Sequence, residues 1–201
     1  MSRAVWQAAS LLLAYPSDEL YDRRALLREA VPGRFTAFLA HLDTTARADL
    51  ERHYVETFDL RRRCCLYLTF YRDGDTRNRG ASLAALKARY RTDGYEGATG
   101  ELPDFLPVVL EFSATTGSPG LLAEHRAGLE LLRLALTDRG SPYAGVLETV
   151  CATLPGASPR DRAEALRLAR QGPAAEQVGL EPFGTPNLRT TRNLLPTRST
   201  P

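Results

Sequence analysis

Hydrophobic residues recur at helical spacing along this chain almost from its start. Val5, Ala9, Leu12 and Leu13 share one face of the first segment, while Arg3, Gln7 and Ser10 take the other at i, i+4 and i+7. That pattern predicts an amphipathic helix. Ser17 then stands as a helix N-cap, with Asp18 and Glu19 in a first turn whose free N–H groups favour negative charge. Leu20, Leu26, Leu27 and Val31 supply its apolar contacts before Pro32-Gly33 stops it. Phe35, Phe38, Leu39 and Leu42 predict a short third helix, and Leu50, Tyr54 and Phe58 one stripe of a fourth.

Three later helices share a start signal in Ser118-Pro119, Ser141-Pro142 and Ser158-Pro159. Serine can cap free backbone N–H groups, and proline at the first helical position loses no bond because its nitrogen would have no helical partner. After Pro119, Leu122, His125, Leu129, Leu132 and Leu136 lie on one face, and Gly140 is placed to end the helix. After Pro142 come Tyr143, Val146, Leu147, Val150, Cys151 and Leu154, then Pro155-Gly156. Strand-like alternation of any length is absent. The pattern predicts an all-α, single-domain helical bundle over residues 1–171. From Gly172 onward the chain holds five of its thirteen prolines, five threonines and the single aromatic Phe183. That is too little apolar surface to offset the entropy of ordering, so residues 172–201 read as a flexible Pro/Thr-rich tail.

Composition narrows the functional classes. Of 201 residues, 43% are hydrophobic and 25% charged, which suits a soluble globule, and the net charge of +2 announces neither a nucleic-acid nor a membrane partner. No apolar run approaches the ~18 residues that a membrane span needs. The opening apolar run behind Arg3 resembles a secretion signal, but its polar face and the lack of a small-x-small cleavage site favour an uncleaved helix. Cysteines at 64, 65 and 151 form no disulfide framework and no C-x-x-C pair, so thiols in a reducing cytoplasm are the simplest reading. His41, His53 and His125 are scattered, and neither H-E-x-x-H nor E-x-x-H occurs, so zinc-hydrolase and di-iron chemistry lack their ligands. The expectation is a protein without catalysis, metal or cofactor of its own.

Two stretches carry the candidate sites. Residues 56–80 hold six arginines, the pair Cys64-Cys65, and Phe58, Tyr67, Phe70 and Tyr71. Leu60, Cys64, Tyr67 or Leu68, and Tyr71 fall on one helical stripe, which reads either as a core helix or as a groove wall. Tyrosine suits a wall because its hydroxyl seeks a partner while its ring stays dry. The arginines are interleaved with Asp59, Asp73 and Asp75, unlike the less neutralised field of a nucleic-acid stripe. Gly74 and Gly80 enclose five residues and precede Ala81-Ser82, so no phosphate-binding P-loop is present, and Asp75 with Arg77 or Arg79 reads as a polar turn. A nucleotide- or nucleic-acid-binding factor using residues 61–79 is the alternative reading.

The second stretch is GELPDFLPVVLEF, residues 100–112. With Asp104 as N-cap, Pro107 falls at the third helical position, still inside the turn that lacks acceptors, and Phe105, Val108, Val109 and Phe112 enter the core. Asp104 then caps Leu106, and Glu101 serves the helix dipole. Alternatively Glu101 and Asp104 form an acidic lip on a groove, able to receive a basic partner group. Both readings stand at this point.

Together, YVETFDLRRRCCLYLTFYRDGDTRNRG and the following ELPDFLPVVLEF closely resemble the NarJ-type nitrate reductase assembly chaperones, also called the nitrate reductase delta subunit, within the TorD/DmsD group of redox-enzyme maturation chaperones. Glu101-Leu102-Pro103-Asp104-Phe105 matches the nitrate reductase variant of that group's E-P-D signature. The resemblance runs over about residues 1–155 and excludes the tail. It implies an all-helical cytoplasmic chaperone of the TorD type, not an enzyme, that binds the N-terminal segment of the catalytic (alpha) subunit. It further implies that the apoenzyme is held for molybdenum cofactor and iron–sulfur insertion, with molybdenum cofactor biosynthesis proteins as further partners. Carried onto this chain, Tyr54, Phe58, Asp59, Tyr67, Tyr71, Glu101, Asp104 and Phe105 would bind client peptide, and the turn of Asp75, Arg77 and Arg79 would close the groove's end.

Overall fold

The computed structural model describes residues 2–97 and 100–171. Among them are eleven α-helices and no strand: α1 (Ser2–Leu13), α2 (Asp18–Ala30), α3 (Thr36–Thr44), α4 (Arg47–Tyr54), α5 (Leu68–Asp73), α6 (Arg77–Thr92), α7 (Leu106–Thr116), α8 (Gly120–Glu124), α9 (Arg126–Asp138), α10 (Ala144–Cys151) and α11 (Arg162–Gln171). The all-α expectation holds; the expected tail at 172–201 lies outside the described residues.

The principal packing is α1 against α7, with α1 also covering α10, and α9 packing on α10 and α11. Val5, Ala9, Leu12 and Leu13 are buried, as the amphipathic pattern requires. The polar face of α1 behaves differently from a solvated one. Ser10 is itself buried and donates its hydroxyl to the Pro107 carbonyl at 2.8 Å, and Arg3 donates to the Thr115 carbonyl at 2.7 Å. Both bonds run along α7, so the polar stripe aligns one helix on the other. Gly117 ends α7 at φ +75°, where a Cβ would lie 2.6 Å from the Arg3 guanidinium. The positive φ favours glycine there, while the flexible Arg3 side chain could swing aside from a Cβ.

Tyr143 sits at the centre, fully buried, with its ring 4.8 Å from that of Phe38 and 4.9 Å from that of Phe58. Leu50, Tyr54 and Phe58 are buried as one stripe, but the helix carrying them changes gauge. After α4, Val55–Asp59 forms a π turn closed by the Leu60 N–H on the Val55 carbonyl at 3.1 Å.

Here the expected continuous stripe fails. Leu60 is 69% exposed, Arg62–Cys64 is a single 3₁₀ turn, and helix resumes only at Leu68. Residues 65–67 instead run extended, because their backbone pairs with another segment: Leu68 N–H donates to the Asp104 carbonyl at 2.9 Å and Leu106 N–H to the Leu66 carbonyl at 2.8 Å. Tyr67 and Phe105 face each other in this isolated antiparallel bridge, with ring centroids 5.4 Å apart. The two stretches that stood out in the sequence are thus one local structure.

The serine-proline starts are also partly corrected. Ser118 accepts from Gly120 N–H at 3.3 Å, as a cap should. Ser141 instead contacts His53 Nε2 at 3.0 Å, and α10 begins three residues later. Ser158 gives its hydroxyl to Glu130 at 2.7 Å, so the last start moves to Asp161, which accepts from Glu164 N–H while Glu164 accepts from Arg160 N–H. A buried carboxylate has no water to fall back on, so it draws in the Ser158 hydroxyl as a donor. Ser17, likewise, makes no side-chain cap bond to α2.

Candidate functional site

A cleft of about 600 Å³ opens between α1, the start of α2, the π turn and the N-terminus of α7. Its α1 wall is Gln7, Ser10 and Leu11, with Ala14 just past the helix end; Tyr15 follows at the mouth. The floor is aromatic and leads inward from solvent. Tyr15 is 47% exposed and meets Tyr54 edge-on at 5.5 Å; Tyr54 meets Phe58 at 4.8 Å, and Phe58 meets the central Tyr143. Tyr54 donates its hydroxyl to the Leu13 carbonyl at 3.2 Å, and burial holds that phenol well above its ordinary pKa, so it remains a neutral donor. The far wall is the Tyr67–Phe105 bridge with Leu66, Pro107 and Val108.

The rim is acidic. Glu19, Asp59, Glu101 and Glu111 line the cleft against one guanidinium, Arg23, which is already paired with Glu19 at 3.0 Å. The π turn explains part of this arrangement. It turns Phe58 into the core while Asp59, the next residue, emerges exposed at the rim.

Of the eight residues expected at a groove, Tyr54, Phe58, Asp59, Tyr67, Glu101 and Phe105 line this cleft. Tyr71 does not. It packs against Gly128 on α9 and donates to the Cys65 carbonyl at 2.9 Å, bracing the extended segment from behind. Asp104 is corrected as well. It is fully buried, caps nothing in α7, and forms no lip. Its Oδ2 accepts from the Thr69 N–H at 3.2 Å and from the Thr69 hydroxyl, and lies 3.7 Å from Arg79. The carboxylate therefore caps α5 across the bridge, while the residue preceding α7 is Phe105 and Pro107 is its second residue. Arg79 also lies over the Tyr67 ring at 5.7 Å, so Asp104, Thr69 and Arg79 together fix the rear of the groove wall. Asp104→Ala should cost about 1–3 kcal/mol, because Thr69 and Arg79 lose a buried acceptor. Asp104→Asn should cost less; equal urea midpoints for wild type and the alanine variant would overturn this role.

The polar turn lies away from the cleft. Asp75 pairs with Arg62 at 2.6 Å, not with Arg77 or Arg79, because the 3₁₀ turn brings Arg62 back over it. Gly80 lies inside α6, so no loop cradles a phosphate, and Arg72 and Arg79 have carboxylate partners in Asp73 and Asp104. What the sequence reading missed is the α1 wall and Tyr15. A stripe at Gln7, Ser10 or Leu11, and Ala14 was the available signal, since small and polar residues let something approach a helix closely.

Among the described residues, no cysteine or histidine lines the cleft. Burial pushes the thiols of Cys64 and Cys65 above their ordinary range and that of Cys151 up to about 12, which leaves them protonated. His53 and His125 are held below 6.5, chiefly by burial, and neither lines the cleft. Among the described residues no cluster of His, Cys, Asp or Glu is disposed to hold a metal ion, and no helix is long and apolar enough to cross a membrane.

This all-helical fold is shared with a solved structure. It matches the solved structure of a protein from Archaeoglobus fulgidus assigned to redox enzyme maturation, with a TM-score of 0.62 at 20% identity over 75% of this chain and 92% of that one. The chain belongs to the nitrate reductase delta subunit family, whose sequence model matches residues 24–148. It is 31% identical over 170 residues to the probable nitrate reductase molybdenum cofactor assembly chaperone NarJ of Bacillus subtilis, covering 79% of this chain and 92% of that protein. It is 31% identical over 148 residues to the assembly chaperone NarJ of Escherichia coli, covering 67% of this chain and 63% of that one. With the nitrate reductase-like protein NarX of Mycobacterium tuberculosis, identity is 41% over 156 residues, yet the chain spans only 24% of NarX's length.

Proposed function

We propose that this protein is a non-catalytic chaperone for nitrate reductase assembly. In this reading the cleft receives the N-terminal segment of the apo catalytic (alpha) subunit and holds that subunit for molybdenum cofactor and iron–sulfur insertion before it docks at the membrane. The observation that carries it is an apolar, acid-rimmed cleft with uncovered large hydrophobics at its edge. Tyr15 is in the lining, and Leu60 and Leu102, 69% and 40% exposed, directly follow the lining residues Asp59 and Glu101. Exposed apolar side chains around a concave site mark a surface meant to be covered. The relatives named for nitrate reductase molybdenum cofactor assembly support the same class of client.

The recognition mode is helix-in-groove: an amphipathic segment orders on binding, lays its apolar face on Tyr15, Leu11, Tyr67 and Phe105, and presents basic groups to Asp59 and Glu101. Titrating a peptide of the first ~15–20 residues of the catalytic subunit, a few helical turns, should show saturable binding with a negative heat-capacity change. A folded sample that takes up no heat and shows no saturation would overturn the reading.

A further inference from the structure

In the proposed function the cleft receives an apolar segment carrying positive charge, and this chain contains such a segment. Residues 186–198, PNLRTTRNLLPTR, hold Leu188, Leu194 and Leu195 together with Arg189, Arg192 and Arg198, and no carboxylate. In a helical register Leu188, Thr191 and Leu195 would share one side, with Arg189 and Arg192 flanking it. Residues 172–185 lack this character: they carry Glu176 and Glu181 and no basic residue. We propose that residues 186–198 dock in the acid-rimmed cleft of the same molecule and compete there with the client. This rests on the cleft being the client site.

Three considerations carry it. The first is complementarity. The rim sets Glu19, Asp59, Glu101 and Glu111 against Arg23 alone, whereas the chain as a whole is nearly balanced at +2. A segment with three arginines and no acid meets a local field opposite to its own. The second is reach. Fifteen residues separate Gln171, the end of α11, from Asn187. Extended, they span up to ~50 Å, whereas a domain of this size has a radius of gyration of about 15 Å. That span is longer than such a domain is wide, roughly 40 Å, so most of the surface lies within reach of the segment. The third is magnitude. A segment tethered this way acts at an effective concentration on the order of 1 mM. Even an intrinsic dissociation constant of roughly 100 μM would then fill the cleft about nine times in ten and weaken client binding about tenfold. A weak pseudo-client is therefore enough to set a threshold, and a client that binds more tightly displaces it.

The test compares the full chain with its Arg189→Glu/Arg192→Glu/Arg198→Glu variant. Calorimetric titration with the catalytic-subunit peptide should give a dissociation constant about tenfold lower for the variant. Amide NMR signals of Tyr15, Tyr67 and Glu101 should differ between the two chains before any peptide is added. Equal affinities with superposed amide signals would overturn the docking of the segment and leave client binding standing. Weaker client binding by the variant would also overturn it, since the segment would then assist the client. Differences that grow with protein concentration would put the segment in the cleft of a second copy and overturn the intramolecular form. If neither chain binds the peptide, the client reading falls, and the amide signals alone decide: shifts at the cleft uphold the docking, and their absence ends it.

Discussion

Glu130→Ala is expected to destabilise the protein by about 3–5 kcal/mol, the cost of breaking a buried ion pair by removing one partner. Glu130 is fully buried on α9 between Arg126 and Arg133, at 3.3 Å and 2.7 Å, and it accepts the Ser158 hydroxyl. The arginines are almost as enclosed, and they reach on to main-chain carbonyls: Arg126 to Pro155 and Gly156, Arg133 to Pro159. Removing the carboxylate strands two guanidinium groups in a dry site and frees the connection that leads to α11. Glu130→Gln keeps one acceptor oxygen and should lose less. Chemical denaturation gives the answer: a midpoint within error of wild type for the alanine variant would show that these charges are solvated in solution.

In a chain that also carries Arg189→Ala/Arg192→Ala/Arg198→Ala, so that no basic tail competes for the rim, Asp59→Lys/Glu101→Lys is expected to fold as wild type and to bind the catalytic-subunit peptide about tenfold or more weakly than that background. Both side chains are exposed, so neither contributes to the core. A single exposed charge pair contributes about 0.2–1 kcal/mol, and reversing a charge replaces attraction with repulsion of similar size. Two reversals therefore amount to roughly 1–4 kcal/mol against a basic segment, and 1.4 kcal/mol is tenfold. The loss should shrink as salt rises, because charges at a rim are screened beyond about 10 Å at 0.1 M. A variant that binds as tightly as its Arg-to-Ala background at low salt would mean that the acidic rim plays no part in recognition.

How much of this was legible beforehand differs from element to element. The helices around Leu12, Leu129 and Val146 follow directly from spacing, since a side chain every three or four residues on one face must be buried together. The groove residues were partly legible. Tyr67 and Phe105 stood out as aromatics in unusual contexts, and they do line the cleft. Tyr71 stood out equally and braces its back, because periodicity cannot tell which side of a wall a ring will occupy. Asp104 looked like a cap and is one, but for α5 rather than for the helix that follows it. A cap across a backbone bridge leaves no local signature.

Local chemistry was therefore sufficient for the all-helical class, for most helix positions and for the glycine at 140, since each depends on neighbours within a few residues. The break at Leu60, the pairing of 66–68 with 104–106 and the gathering of four acids around Tyr15 depend on partners far apart along the chain. Those partners meet only when α1 and α7 pack together. Contacts of that kind are settled by which backbone groups and side chains remain unsatisfied after collapse, and a one-dimensional pattern carries no record of that competition.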